Sequence, residues 1–367
     1  MKSYLINIKV NDITTQNIKW RYICGGQVFY DGFILQDTFA NIDDLDGTYS
    51  LLYLEKNNLN AYTDFWGTKP LFYCIEPDNI TITSDPFKFK IENYKLIPRN
   101  TKVVISLRDL NISFHKKTSL RIRTDATKNT FTKSVCKIID KIKSRRLGIC
   151  LSEGYDSGVI TSILLSNNKP FYAATIDIGT NTQILYERHK RIKTGCIIKP
   201  KLIDDLKTYK KYYSKIDNLI LNESYEPDHT QAWGFKGSCM LLEALKENKI
   251  NTSLHCSGAD ALFLPNIEKY IEYTSIKDLP YPYNEALDIQ HSCIKGEFIA
   301  KMFNIKIIYI FLIREVWEIS LGIIRRDNLN YKQFFAEIMS ENLFPFIQQT
   351  SITTKVGLER CRLNSFL

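Results

Sequence analysis

The sequence predicts a mixed α/β chain, in which an antiparallel, β-rich first part is followed by a parallel sheet with helices on its faces. In the first part, short apolar stretches such as Thr48–Leu54, Pro70–Ile75 and Lys102–Leu107 alternate with turn signals, for example Asp31-Gly32. This pattern is typical of short strands joined by tight turns. Further along the chain, apolar strands alternate with segments of helical period, which is typical of a parallel sheet covered by helices.

A polar stretch at 115–130 separates the two patterns and is expected to be a linker. We therefore expect one domain over 1–120 and a second over 121–367. The ligand site of a parallel sheet lies at the carboxyl ends of its strands. The second part alternates in the order helix Phe131–Arg145, strand Leu147–Leu151, helix from Ser157, strand Phe171–Ile176, helix Ile184–Thr194, strand Cys196–Ile203, helix Gln231–Asn248 and strand Thr252–Cys256.

The bulk composition excludes several classes of protein. The 367 residues contain nine scattered cysteines, so a disulfide framework or a cysteine metal cluster is not expected. No run of 18 apolar residues is present, and the first residues, MKSYLINIKVND, do not resemble a signal peptide. We expect a cytoplasmic chain with no membrane partner. The net charge of +9 is spread along the chain, so a nucleic-acid partner is not expected either.

The segment LGICLSEGYDSGVI at 147–160 carries the strongest chemical signal. A strand runs into a turn and then into a helix, which brings backbone N–H groups and a helix N-terminus together as an anion site. Ser152 and Ser157 add hydroxyl donors, and Gly154 allows a ligand to approach the backbone. Asp156 carries the same charge as phosphate, so it makes sense as a ligand of Mg²⁺.

These residues resemble the pyrophosphate-binding loop of the ATP pyrophosphatases, SGGxDS, with Glu153 in place of the first glycine. A second segment, at 252–263, resembles the SGEGADELF segment of asparagine synthetases. There Asp260 matches the second carboxylate for Mg²⁺, and Ser257 stands where asparagine synthetases have Glu and β-lactam synthetases have Tyr. The resemblance predicts that Asp156 and Asp260 share a metal ion. It assigns nucleotide contacts to Leu151, Ser152, Gly154, Asp156, Ser157, Ile176, Cys256, Ser257 and Gly258.

A third block, Asp64–Tyr73, resembles a block of the N-terminal glutaminase domain in the same family, which also includes the lasso-peptide macrolactam cyclases. That domain uses an N-terminal cysteine as its nucleophile, but this chain has Lys2 after Met1, and Cys24 and Cys74 are internal. A nucleophile needs its base within reach. The resemblance therefore implies a degenerate, glutaminase-like α+β sandwich without glutaminase activity, followed by an adenine-nucleotide α-hydrolase-like synthetase domain.

Near the C-terminus, Thr353–Leu358 resembles the R-x-K-x-G-F segment of the family, in which Lys355 stabilises charge on the reacting groups. Ile310–Leu312 resembles the PFLD strand of the family. On this alignment, the position of the glutamate base of β-lactam synthetases falls near Lys306. The resemblance therefore implies that this chain lacks that glutamate base. Glu187 resembles a supporting glutamate on the helix after Ile176.

Taken together, the resemblance implies an ATP- and Mg²⁺-dependent ligase that adenylates a carboxylate, releases AMP and pyrophosphate, and transfers the acyl group to an amine. Macrolactam formation in a precursor peptide, with a leader-peptide protease as partner, is one version of this prediction. Three alternatives stay open: an ammonia-dependent asparagine synthetase-like enzyme, a tRNA-modifying enzyme with the same loop, and an inactive member that acts as a binding partner. The sequence leaves the substrates, the general base and the oligomeric state undetermined.

Overall fold

We describe a computed structural model of the chain over residues 3–23, 26–36, 42–86, 88–117, 119–144, 146–177, 181–199, 229–264, 267–271, 288–327 and 332–346. The chain divides into two compact units. The first contains Met1–Arg145 and Thr252–Phe334, and the second contains Arg146–Asn251 and the residues from Phe335 onward. The domain boundary expected near residue 120 stays a prediction.

The N-terminal part of the first unit consists of two antiparallel sheets. The strands are β1 Leu5–Lys9, β2 Asp12–Gln16, β3 Arg21–Ile23, β4 Gly26–Ile34, β5 Gly47–Glu55, β6 Asn58–Thr63, β7 Phe72–Glu76, β8 Asn79–Thr83, β9 Lys95–Leu96, β10 Thr101–Ser106 and β11 Ile112–Lys116. The five-stranded sheet has the order β2-β1-β8-β7-β9, and the six-stranded sheet has the order β11-β10-β6-β5-β4-β3.

Apolar side chains from both sheets form one buried core, so the two sheets pack face to face. Ile6 and Ile82 come from the five-stranded sheet, and Leu52 and Val103 from the six-stranded sheet. The alternation of buried and half-buried residues in Thr101–Ser106 is the period of two that a strand with one core face requires. The antiparallel part predicted from the sequence is therefore present as a sandwich.

Asp31-Gly32 was predicted to be a turn, and this prediction is wrong because both residues lie inside β4. Gly32 has a φ of +121°, and a Cβ at this position would lie 2.1 Å from the Thr48 carbonyl oxygen. On the paired strand β5, Gly47 has a φ of +142°, and its Cβ would lie 2.1 Å from the Phe33 carbonyl oxygen. The two glycines therefore serve a close approach between strands rather than a reversal of the chain.

Residues 252–334 complete the first unit with a parallel pair of strands and several helices. β15 Thr252–His255 pairs in parallel with β16 Lys306–Tyr309. Helix α1 Lys128–Lys141 starts earlier than predicted because Thr127 and Thr130 form a capping box at its N-terminus. The other described helices of the first unit are α5 Glu268–Ile271, α6 Ile289–Phe303 and α7 Arg314–Asp327, with 3-10 helices at Ile42–Asp44, Asp260–Phe263 and Ile310–Leu312.

The second unit contains parallel strands that alternate with helices, as the sequence predicted. β12 Leu147–Cys150 pairs in parallel with β13 Tyr172–Ile176, which pairs in parallel with β14 Gly195–Ile198. The mixed α/β class, with antiparallel sheets and parallel strands in one chain, is therefore confirmed. Among the described helices, none combines the length and apolar character needed to cross a membrane. The helices of this part are α2 Tyr155–Ser166, α3 Thr182–Ile192, α4 His229–Glu247 and α8 Gln333–Glu341, which begins at the boundary of the two units.

Candidate active site

The loop between β12 and α2 begins at Leu151, whose backbone is fixed on both sides. Its N–H donates to the Ala174 carbonyl oxygen at 2.9 Å, and its carbonyl accepts a hydrogen bond from Thr175 Oγ1 at 2.8 Å. His189 Nε2 lies 2.8 Å from the same hydroxyl. Since a carbonyl has two lone pairs, the Leu151 oxygen can still accept a second bond from a ligand. The nucleotide contacts predicted for Leu151 and Ile176 stay predictions.

The loop itself is wound around two serine hydroxyls. The Ser152 N–H donates to Ser157 Oγ at 3.0 Å, and the two hydroxyl oxygens lie 3.0 Å apart. The Gly154 N–H donates to Ser152 Oγ at 3.1 Å. Both serines and Gly154 were predicted as site residues, and the structure brings these three together at the start of α2.

The N-terminus of α2 is open to a ligand on the side of Gly154. Gly154 is the N-cap residue, and among the described residues no side-chain cap hydrogen bond is present. Within the same residues, a Cβ at Gly154 would meet one atom within 4 Å, the Ser152 Oγ at 3.1 Å. Because the first N–H groups of a helix have no carbonyl partner within the helix, this end attracts anions. Asp156 stands in the first turn of α2, where a carboxylate can hold a cation next to phosphate. The residues therefore fit the phosphates of ATP with Mg²⁺.

Arg188 supports this loop, and sequence reasoning missed it. Its side chain is fully buried on α3, on the helix face that also carries Leu185 and Ile192. Nη1 donates to the carbonyl oxygens of Ser152 and Gly154, the latter at 3.0 Å. The available signal was its position, since Arg188 stands three residues after Leu185 and four before Ile192, within the apolar stripe of an amphipathic helix.

Two glutamates near Arg188 play different parts. Burial lowers the pKa of Arg188 to about 10, and the charge of Glu153 acts in the opposite direction and raises it. The residue that replaces the first glycine of the loop thus attracts the buried guanidinium. Glu187, predicted to support the site, accepts a hydrogen bond from Gln183 Nε2 at 3.1 Å within its own helix.

The second predicted segment lies in the first unit, where β15 ends. Ser257 Oγ lies 2.8 Å from His255 Nδ1. Burial lowers the pKa of His255 to about 4, so its ring is neutral at physiological pH. Gly258 has a φ of +92°, and a Cβ there would lie 2.3 Å from Leu312 Cδ2, which explains a glycine at this turn. The structure therefore places Cys256, Ser257 and Gly258 in one tight turn after the strand.

Asp260 follows this turn as the first residue of a 3-10 helix. Its side chain is exposed, with Oδ1 3.0 Å from Lys332 Nζ. A cation at Asp260 would have to compete with the Lys332 ammonium for the same carboxylate. Within the described ranges, no three His, Cys, Asp or Glu side chains gather as a metal cluster. A Mg²⁺ ion bound through phosphates needs fewer protein ligands than that. The metal shared by Asp156 and Asp260 stays a prediction, as does the nucleotide role of the turn.

The block Asp64–Tyr73, which resembles a glutaminase segment in sequence and is called the glutaminase-like block below, has a structural role in the first unit. The buried carboxylate of Asp64 accepts hydrogen bonds from the N–H groups of Tyr49 and Trp66, both at 2.9 Å, and from Thr68 Oγ1 at 2.5 Å. These bonds hold the block in one conformation. Lys69, in the middle of the block, is buried and pairs with Glu297 on α6.

The same part of the structure corrects one sequence prediction. Ile310–Leu312, predicted as a strand, is a 3-10 helix, because the strand ends one residue earlier at Tyr309. Lys306 was considered as the position of a missing base. It begins β16, and its Nζ donates to the Gly32 carbonyl oxygen. Lys355, the predicted C-terminal contact, lies outside the described residues.

Comparisons with known proteins add little to this geometry. No family model matches the chain, and no curated protein matches it. Among solved structures, it is similar to NMN synthetase from Francisella tularensis, with 11% identity over 62% of this chain and 100% of the other, and a TM-score of 0.29. It is also similar to glutamine phosphoribosylpyrophosphate amidotransferase from B. subtilis complexed with ADP and GMP, with 11% identity over 95% and 92% of the two chains and a TM-score of 0.25.

A third structure, of the allosteric regulatory enzyme of purine biosynthesis, aligns with 9% identity over 53% of this chain and 74% of the other, with a TM-score of 0.24. At such identities and TM-scores, these similarities are too weak to assign a family or an activity. The class of the molecule therefore rests on its own elements: a mixed α/β chain with a serine-lined strand–loop–helix site.

Proposed function

We propose that this chain is an ATP-dependent ligase that activates a carboxylate by adenylation and transfers the acyl group to an amine, forming an amide. The observation that carries the proposal is the loop Ser152–Gly154, which joins a parallel strand to an uncapped helix N-terminus and is supported by Arg188. Such a loop suits the phosphates of a nucleotide better than a neutral ligand.

Each residue of the loop has a proposed part in this chemistry. Ser152 and Ser157 donate hydroxyl hydrogen bonds to phosphate oxygens, after giving up the bond that now joins their oxygens. Asp156 and Asp260 are proposed to hold Mg²⁺, and Lys355 to stabilise negative charge on the reacting groups. When bound, ATP with Mg²⁺ supplies the adenylyl group and a pyrophosphate leaving group.

The proposed substrate class comes from the resemblance of the sequence. We propose a peptide that offers both a side-chain carboxylate and an α-amine, so that the product is a macrolactam, as in the lasso-peptide cyclases that the sequence resembles. A leader-peptide protease would then be the partner. Release of free ammonia from glutamine is not part of the proposal.

The test is isotope exchange between labelled pyrophosphate and ATP·Mg²⁺ in the presence of single carboxylate compounds. We expect exchange with aspartate or with synthetic peptides that carry an aspartate or glutamate side chain, and loss of one water from the peptide that reacts fully. If the chain binds no ATP·Mg²⁺ in calorimetry, the ligase proposal is wrong.

An inactive, nucleotide-binding member of the same class is a second candidate. Two observations favour it: Glu153 places a carboxylate in the loop, and Asp260 is already paired with Lys332 at 3.0 Å. In that case the chain would bind ATP, but no carboxylate would support pyrophosphate exchange.

A further inference from the structure

The guanidinium of Arg188 connects two separate segments of the second unit. Besides the carbonyls of Ser152 and Gly154, it reaches the Pro345 carbonyl oxygen, to which Nε donates at 2.9 Å. The Phe344 ring lies against the same group, with its centroid 5.3 Å from Cζ. One buried cation therefore holds three main-chain carbonyls.

The surrounding residues make room for this cation. A Cβ at Gly158, in α2, would lie 2.7 Å from Met339 Sδ and 2.8 Å from Arg188 Nη2, so a larger residue would displace the guanidinium or its neighbour. The two loop carbonyls that it binds belong to the residues on either side of Glu153. The guanidinium therefore holds the loop at both ends of the residue that departs from the glycine pattern.

We propose that Arg188 is the positioning residue of this loop, which it keeps in the form that receives a polyphosphate while it offsets the negative charge of Glu153. The proposal rests on the proposed function, because it assumes that the loop binds nucleotide phosphates. Arg188 acts through the loop backbone, and it is therefore not a catalytic residue.

Arg188 has to offset the charge of Glu153 because this carboxylate and a bound polyphosphate are both negative and repel each other. A carboxylate within the loop would oppose a polyphosphate, and a cation bonded to the carbonyls on either side of that residue opposes the effect, more strongly in a buried site than in water. Glu153 and Arg188 already attract each other in the protein without ligand. A lysine could supply the charge, but it lacks the planar fork that binds several oxygens at once.

The positioning role of Arg188 also involves residues 342–346, the segment that follows α8. Asn342 Nδ2 donates to Ser162 Oγ at 2.7 Å, and the Phe346 and Tyr155 rings have centroids 6.3 Å apart. Together with the Pro345 bond, these contacts tie residues 342–346 to α2 and to the loop. Since linkage is reciprocal, a ligand that favours the present form of the loop also favours the docking of this segment.

The first experiment measures binding of Mg²⁺-pyrophosphate and of ATP·Mg²⁺ by calorimetry in wild type, Arg188→Lys and Arg188→Gln. We expect affinity to fall by about 10- to 100-fold in both variants, as for the loss of one or two charge-assisted hydrogen bonds. The matched control is Arg191→Lys, an exposed arginine of the same helix, which should leave affinity unchanged. Thermal unfolding of each variant shows whether it is folded.

The second experiment separates positioning from mere structural support by means of Glu153→Gln. In the wild-type background this change should alter affinity by less than about threefold, because Arg188 already offsets the charge. In the Arg188→Gln background it should restore affinity by about tenfold. A purely structural role for Arg188 predicts equal effects in both backgrounds, and that result would overturn the charge-offsetting part of the proposal.

A third measurement uses only the wild-type chain, so it can still be made if Arg188→Gln does not fold. Hydrogen exchange of amides in 342–346 should slow at least about threefold when Mg²⁺-pyrophosphate saturates the wild-type chain. Binding without any change in this segment contradicts the coupling. If the wild-type chain binds neither pyrophosphate nor ATP, the proposed function itself is refuted. If the wild-type chain binds them and both Arg188→Lys and Arg188→Gln bind equally well, only the role of Arg188 is refuted.

Discussion

Lys69 and Glu297 form a buried ion pair, although 228 residues separate them in the chain. Each side chain has a relative exposure of 1%. Lys69 Nζ also donates to the Ile307 carbonyl oxygen at 3.0 Å. The lysine of the glutaminase-like block thus belongs to the core of the first unit, where it bonds both α6 and β16.

Removing one partner of this pair should destabilise the chain strongly. We expect Lys69→Met to lower the free energy of unfolding by about 3–5 kcal/mol, because Glu297 is then left buried without its cation. The double variant Lys69→Met with Glu297→Leu should be less damaging than Lys69→Met alone. Urea unfolding measures both.

Lys137→Met, which breaks the more exposed Lys137–Glu315 pair of 3.1 Å, serves as a control with an expected cost below about 1 kcal/mol. Equal costs for Lys69→Met and Lys137→Met would contradict the structure.

Asp156→Asn and Asp260→Asn should each slow ATP-dependent pyrophosphate release by about 100-fold or more, without unfolding the chain. The reason is that a metal ion on the phosphates supplies several kcal/mol of charge stabilisation. Pyrophosphate exchange gives the rate, and Asp140→Asn, at an exposed position of α1, is the control. Lys332→Met should lower the Mg²⁺ concentration needed for half-maximal rate, since it frees Asp260 from its present partner. Wild-type rates in Asp156→Asn would remove the metal assignment.

His255 should make the chain sensitive to acid. Its pKa is about 4 in the folded protein, below the ordinary value of 6.5, so the unfolded chain binds a proton first as pH falls. The stabilisation is therefore complete above pH 6.5 and is lost as pH falls through 4, by up to about 3 kcal/mol. His255→Asn keeps an acceptor for Ser257 but does not titrate. Chemical unfolding at several pH values should show a flatter profile for this variant, and parallel profiles would show that His255 is not responsible.

The rate of amide formation should rise with pH through the pKa of the substrate amine, because only the neutral amine attacks a carbonyl. Ser257 and Lys306 offer no carboxylate base, so the amine has to arrive neutral or lose its proton to the phosphate of the substrate. Pyrophosphate exchange reports the earlier half-reaction and should depend on pH much less. Lys355→Ala should slow both half-reactions. If both keep their wild-type rates in Lys355→Ala, Lys355 has no part in the chemistry.

Glutamine should not be hydrolysed at any pH, since Cys24 and Cys74 are internal and cannot use an α-amine of their own as base. Cys74, Cys239 and Cys293 are buried, and burial raises the pKa of each thiol, which makes them poor nucleophiles. Alkylation of accessible cysteines with iodoacetamide should leave ligation unchanged. Measurable release of ammonia from glutamine would show that the first unit contains an active site.

The sequence predicted the alternating elements well and the buried charges poorly. Strands such as Thr101–Ser106 follow from their alternation, because that pattern depends only on which neighbours face the core. The loop serines could be placed because a short turn between a strand and a helix leaves them few positions. Lys69 and Glu297 gave no such signal, since a charged residue in a sequence is read as solvent-exposed until its partner is known.

The burial of Arg188 was missed and the turn at Gly32 was wrongly predicted for related reasons. Arg188 stands in an apolar stripe, and only the tertiary structure supplies the carbonyls that make burial of its charge acceptable. Asp31-Gly32 has the composition of a hairpin turn, but its glycine meets the Thr48 carbonyl across the sheet. In both cases, contacts distant in sequence override a local preference.

The placement of Trp66 against Trp317, with ring centroids 4.4 Å apart, affects how the chain can be synthesised. A ribosome adds about 5–20 residues per second, so Glu297 emerges roughly 10–45 s after Lys69, 228 residues earlier. During that interval, Trp66 and Lys69 lack the partners that bury them in the finished protein. The N-terminal sandwich can bury its own core early, but Trp66 and Lys69 stay uncovered until Trp317 and Glu297 have been translated.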